Sequence, residues 1–141
     1  MISLQEMELR VLICNDVKPN ESAILVADVK NQYRRCGQPL CYVAIVPEDA
    51  PMPDSALRKE MSDGLRACQE FFQYAAIVLC GAGLKSCLKR AAFASMLLII
   101  MKGKWHVASS IEELIRKAPN LRIMKHLLAV SRLAAEKGYR T

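Results

Sequence analysis

The sequence predicts one α/β domain with about four mainly parallel strands and about five flanking helices, on the alternation of strand and helix patterns along it. Three observations lead there. The runs "PLCYVAIVP" (39–47) and "AAIVLC" (75–80) are continuously apolar and rich in strand formers, as in strands covered on both sheet faces. Between them, "ALRKEMSDGLRACQEFFQY" (56–74) places Leu57, Met61, Leu65, Cys68 and Phe72 three or four positions apart, the period of an amphipathic helix. The chain has 141 residues, enough for one core that buries roughly 70% of the surface its unfolded form exposes.

In chain order, "MELRVLIC" (7–14) is the first strand candidate, and "NESAILVADVKNQYRRC" (20–36) a helix starting at an Asn20 cap and stopping before Gly37. The 39–47 run is the predicted central strand. The turn "PEDAPMPDS" leads into the 56–74 helix, the 75–80 strand follows, and a helix is expected from Leu84 to about Lys102. That helix includes "AAFASMLLIIM" (91–101), whose 11 residues fall short of the roughly 20 a membrane span needs and read as a buried helix segment. "WHVA" (105–108) is a short strand, and "SSIEELIRKA" opens on a Ser with a Glu three residues on, a capping-box pattern. Pro119-Asn120 then sets off "NLRIMKHLLAVSRLAAEKG" (120–138), with Leu121, Met124, Leu127, Leu128 and Leu133 opposite Arg122, Lys125, Arg132 and Lys137. The chain thus divides into an α/β unit, 1–118, and a C-terminal amphipathic helix, 119–141, that packs on the domain or on a partner. Met124, Leu127 and Leu128 are the partner-binding candidates on it.

With 52% hydrophobic and 24% charged residues, the composition is that of a globular domain rather than a disordered one. The formal charge of +6 is modest; it admits an acidic protein surface, an anionic small molecule or a membrane surface, and does not by itself point to nucleic acid. The six cysteines form no CxxC pair and mostly sit in apolar runs, so they are expected as free thiols in a reducing compartment. "MISLQEMELR" lacks a basic flank followed by an apolar block, and a cytoplasmic location is the expectation.

The chemical candidates begin with "CGAGLKSCLKR" (80–90). Glycines at a strand's end permit a sharp turn, and the N–H groups of the following helix face any nearby anion. Gly81, Gly83, Lys85, Ser86 and Lys89 are therefore the candidate anion site. The dinucleotide fingerprint would need glycine where Ser86 stands, and the Walker pattern is absent; a tight turn and an anion site both remain open. His106 and His126, in different elements, suggest no metal site. Cys87, near a helix start beside Lys89 and Arg90, has the best claim among the thiols to a stabilised thiolate. Glu48, Asp49 and Asp54 crowd the loop after the central strand, at the edge where open α/β sheets bind ligands, and are candidates for partner contact. No acid-base pair, nucleophile with its base or cofactor loop meets its own spacing rules; a non-enzymatic protein without cofactor is expected.

At that loop, "VAIVPEDAPMPDSAL" (43–57) resembles the strand, loop and Asp-Ser helix start of STAS domains, the anti-sigma-factor antagonist fold. The resemblance continues through "VLCGAG" and "HVASSIEELI", covers about residues 8–118, and extends to the broader SpoIIAA-like group, which shares architecture with lipid-binding domains. It implies a regulatory protein-binding domain in bacterial-type signalling, whose partner is another protein or a second copy of the chain. It also implies a phosphorylation switch at Ser55, where a phosphate would meet the helix dipole. The family pattern continues Asp-Ser with a small residue and Gly, whereas Ala56-Leu57 follows here; with three acidic neighbours, this favours Ser55 as a helix cap. The alternative function is a carrier or sensor of an anionic or lipid-like molecule, using the glycine turn and a pocket beneath residues 91–101.

Overall fold

Strand-forming runs that are apolar on both sides must be covered on both sides, and the chain does this with one sheet between two helical layers. The computed structural model describes residues 1–89, 91–92 and 105–141. Five strands lie in the order β1 (Ile2–Glu6), β2 (Leu9–Ile13), β3 (Leu40–Val46), β4 (Phe72–Leu79) and β5 (Trp105–Ala108). β1 pairs antiparallel with β2, and all later pairs are parallel. The molecule is thus a single α/β domain with a mostly parallel sheet. The helices with defined bounds are α1 (Glu21–Cys36), α2 (Ser55–Cys68), α3 (Ile111–Arg116) and α4 (Leu121–Glu136). Residues 84–89 and 91–92 are helical as well; the remainder of the helix expected up to Lys102, with most of the apolar run 91–101 and any pocket beneath it, lies outside the described residues.

Alternate residues of each strand feed two cores. One face of the sheet carries Leu9, Val11, Cys41, Val43, Ile45, Ala76 and Val78 against Ile111 and Leu114 of α3 and Ile123, Leu127, Val130 and Ala134 of α4. The other carries Leu12, Leu40, Tyr42, Ala44, Ala75 and Ile77 against Val29 of α1 and Leu65 and Cys68 of α2. The C-terminal helix therefore packs on the domain itself. Its inward residues, spaced four, three and four apart, are all buried, as one stripe of a helix requires.

Several boundaries differ from the sequence reading, each for a local reason. The run 7–14 is not one strand: Met7, with φ of 50°, and Glu8 make the turn of a hairpin whose first strand is Ile2–Glu6. The helix expected over 56–74 ends at Cys68, passes through a 3-10 turn at Gln69–Phe71 and gives way to β4 at Phe72. Pairing of Phe72 with Leu40 and stacking of its ring on Tyr42 at 4.7 Å outweigh the helical period there. Asn20 does not cap α1; it sits in the left-handed region with φ of 69° and makes no side-chain cap bond. The expected stop before Gly37 is present, with φ of +66° and its N–H donated to the Tyr33 carbonyl at 2.9 Å. Ser110 caps α3 as expected, accepting from Glu113 N. The Glu113 carboxylate reaches back one residue beyond the cap, accepting from Ser109 N at 2.9 Å.

Candidate functional site

The carboxyl ends of β2, β3 and β4 place the 47–54 loop beside the glycine turn. Cys80 N donates to Val46 O at 2.9 Å, and Lys89 Nζ donates to the carbonyls of Glu48 at 3.3 Å and Ala50 at 3.2 Å. Ala50 is buried under this tie. Gly81 has φ of +113°, and a Cβ there would lie 2.6 Å from Ser86 Oγ and 2.7 Å from Glu48 Cγ and Cδ. Gly81, Ser86, Lys89 and Glu48 are thus brought together around one close approach. Gly83 also has positive φ, 93°, but faces open space, and Lys85 is exposed. A carboxylate of the chain's own stands against the turn, and the Lys89 ammonium is engaged by main-chain oxygens. This geometry is what a tight, braced turn requires; an external anion would have to displace or neighbour Glu48.

Asp54 and Ser55 exchange the parts the sequence suggested. Asp54 is the cap of α2, its Oδ1 accepting from Leu57 N at 2.8 Å, and Ser55 is the first helical residue, exposed. Aspartate is as good a cap as serine and adds a charge favourable to the helix dipole. Asp49 is exposed earlier in the same loop. On the segment that Lys89 ties to this loop, Leu84 is 76% and Leu88 62% exposed, and Met52 in the loop is 46% exposed. Of the C-terminal candidates, Leu127 is fully buried against the sheet, which removes it from any partner surface, whereas Leu128 is exposed and Met124 half-buried.

A second feature escaped the sequence reading. Between α1, α2 and the second sheet face runs an apolar cleft whose mouth, about 240 Å³, is lined by Pro51, Met52, Pro53, Asp54, Leu57 and Met61. Cys14, Val17, Val46, Pro53 and Met61 are shared with a narrower inner part of about 50 Å³ that reaches Leu12, Tyr42, Ala44 and Ile77. The available signal was the proline-rich "PEDAPMPDS" directly after a central strand, which keeps the loop from folding down on the sheet.

Several of the remaining titratable groups are packed into the core or engaged by neighbours. Burial pushes the thiols of Cys14 and Cys41 up to about 12 and that of Cys68 to about 11, so these are poor nucleophiles. All six cysteines are free; Cys14, Cys41 and Cys68 are buried, whereas Cys36 and Cys80 are half-buried and Cys87 is exposed, so burial is less general than the apolar runs suggested. His106 stacks on Tyr74 with ring centroids 4.9 Å apart, and burial lowers its pKa. His126 Nε2 lies 3.2 Å from Glu8 Oε1 without a hydrogen bond to it, and that oxygen accepts from Arg122 Nη2 at 2.8 Å. The Arg122 hydrogen bond is the main reason the Glu8 carboxyl stays below its ordinary range despite burial. Among the described residues no three His, Cys, Asp or Glu side chains are grouped to hold a metal ion, and no helix is long and apolar enough to cross a membrane. No protein-family model matches the chain, and no curated protein sequence matches it significantly.

Proposed function

We propose that the protein is a non-enzymatic regulatory domain, STAS-like in kind, that binds another protein through the surface at the carboxyl ends of its central strands. The observation that carries this reading is that Lys89 ties the 84–89 segment, with exposed Leu84 and Leu88, to the 47–54 loop, with exposed Met52, Asp49 and Asp54. Exposed apolar side chains rimmed by charge are the composition of a docking surface. Ser55 stands on the same surface, exposed at the start of α2; a phosphate there would add nearly two negative charges where a partner docks. The role in bacterial-type signalling rests on the family resemblance of residues 43–57.

The apolar cleft favours a second reading, a carrier or sensor of a small apolar or amphipathic molecule, held between α1 and α2 rather than at the glycine turn. Native mass spectrometry of the protein purified from its own cells separates the two. A co-purifying protein that is lost in Met52→Asp and Leu84→Asp supports docking; a retained small molecule that is lost in Val17→Trp supports the cleft. A bare monomer from fresh lysate would remove both.

A further inference from the structure

Arg10 projects from β2 toward α1 and is only 4% exposed, yet no carboxylate touches its guanidinium. Every acceptor is neutral: Gln32 Oε1 at 2.8 Å for Nε, Ser3 Oγ at 2.8 Å for Nη1, and Gln5 Oε1 at 3.0 Å and the Asp28 carbonyl at 3.3 Å for Nη2. A buried cation is ordinarily compensated by an opposite charge, and burial here presses the guanidinium pKa down. Bracing alone does not explain the charge. Gln32, neutral and buried, already ties α1 to the hairpin through the carbonyls of Met7 at 2.8 Å and Leu9 at 3.0 Å.

A second guanidinium converges on the same place. Arg35 Nη2 donates at 3.3 Å to the Gln5 Oε1 that Arg10 also uses, so two like charges meet at one amide oxygen. Arg34 lies beside Arg35 in the last turn of α1, where the helix dipole favours cations. That dipole accounts for Arg34 and Arg35 at the helix end but not for Arg10 on the sheet. Gln5, Arg10, Asp28, Asn31, Arg34 and Arg35 line one groove of about 600 Å³, with three guanidinium groups against the single carboxylate of Asp28. The side chains of Arg34 and Asn31 make no hydrogen bond or ion pair within the described residues.

We propose that this groove binds a phosphate monoester, with the phosphate oxygens held by Arg34 and Arg35 at the rim and by the remaining Nη1–H of Arg10 at the floor. Planar guanidinium forks match tetrahedral oxyanions in charge and spacing. The groove has room for more than the phosphate alone, as a small phosphorylated molecule or a phospholipid headgroup requires. The site lies between β1, β2 and α1, away from the glycine turn.

Two probes distinguish the sources. The full-length protein is titrated calorimetrically with phenyl phosphate, and sedimented with phosphatidylcholine vesicles with and without phosphatidic acid. Saturable binding of phenyl phosphate that weakens about tenfold or more in Arg34→Gln and in Arg35→Gln, but not in Arg132→Gln, is the result expected for a soluble ligand. Binding only to the phosphatidic acid vesicles, with the same dependence on Arg34 and Arg35, assigns the groove to a lipid headgroup. The proposal is overturned if neither probe binds, or if both rim variants bind as the unmodified protein does. Because Arg10 also fastens the hairpin to α1, the rim variants carry the test, and an unchanged melting temperature shows that they remain folded.

Discussion

At Gly81 a single hydrogen atom decides whether the turn after β4 can form. The backbone φ of +113° already disfavours any L side chain, and a Cβ would press on both Ser86 Oγ and the Glu48 side chain. Gly83, with φ of +93° and nothing near its missing Cβ, carries only the backbone demand. Gly83→Ala should therefore lose about 1 kcal/mol, the ordinary cost of alanine at positive φ. Gly81→Ala should lose measurably more, as the clash adds to the strain. Denaturant midpoints at equal slopes measure both, and equal losses would show that Glu48 and Ser86 move aside freely. The positive φ of both glycines was legible in "CGAGLK", because only glycine turns so sharply after a buried strand. The filling of the turn by Glu48 was not, since Glu48 lies more than thirty positions away in sequence and no local pattern announces such a contact.

Elements were legible where their signal is local and were missed where pairing supplies it. The cap of α3 is a local signal, and it has a pH consequence. The Lys117 ammonium first, and the Ser109 N–H and hydroxyl after it, hold the Glu113 carboxyl down to about 2 from its ordinary 4.5. A depressed carboxyl contributes stability that is fully present above the unfolded value and disappears as pH falls through the folded one. The window is thus from about 4.5 down to about 2. Glu113→Gln should lower stability at neutral pH and flatten its decline across that window, as urea midpoints at successive pH values would record. An unchanged slope would detach Glu113 from acid unfolding. By contrast β1 was missed because its pattern is weak: Ile2 and Leu4 alternate with polar residues on an edge strand, and its hairpin turns at Met7 without Gly or Asn. α4 is amphipathic as its spacing predicts, but its buried stripe is displaced from the expected one: of Leu121, Met124, Leu127, Leu128 and Leu133 only Leu127 is buried, and the sheet is met by Ile123, Leu127, Val130 and Ala134. Leu127 and Leu128 separate the two sides: Leu127→Ala should cost about 2–5 kcal/mol as a core truncation. Leu128→Asp, on the exposed side, should change stability by about 0.5 kcal/mol or less. Similar effects of the two substitutions on the thermal midpoint would contradict the packing described for α4.

On the scale of the whole molecule, alternating strands and helices made the α/β class and the parallel sheet readable, while the assignment of helices to faces depended on contacts between distant parts of the chain. The first sheet face shows the consequence. Leu9, Val11, Cys41, Val43 and Ile45 come from strands near the start and middle of the sequence, yet their cover includes Ile123, Leu127, Val130 and Ala134 from its end. Arg122 adds a polar fastening to Glu8 at the β1–β2 turn, and Arg132 another to Glu6 at 2.6 Å. Pro119, which in sequence looks like a boundary, is in space only the joint between α3 and α4. A chain ended after Ala118 would leave the central strands' apolar face open to water over the length of α4, and at roughly 25 cal/mol per Å² a few hundred Å² of such exposure is as large as the net stability of an ordinary domain. Residues 1–118 alone should therefore show no cooperative thermal transition and should associate through the bared face, seen by calorimetry and light scattering. Adding residues 119–141 as a separate peptide should restore a transition in proportion to its concentration. A monomeric 1–118 fragment that unfolds cooperatively by itself would instead make α4 a dispensable appendage, and its buried stripe would then be available to a partner.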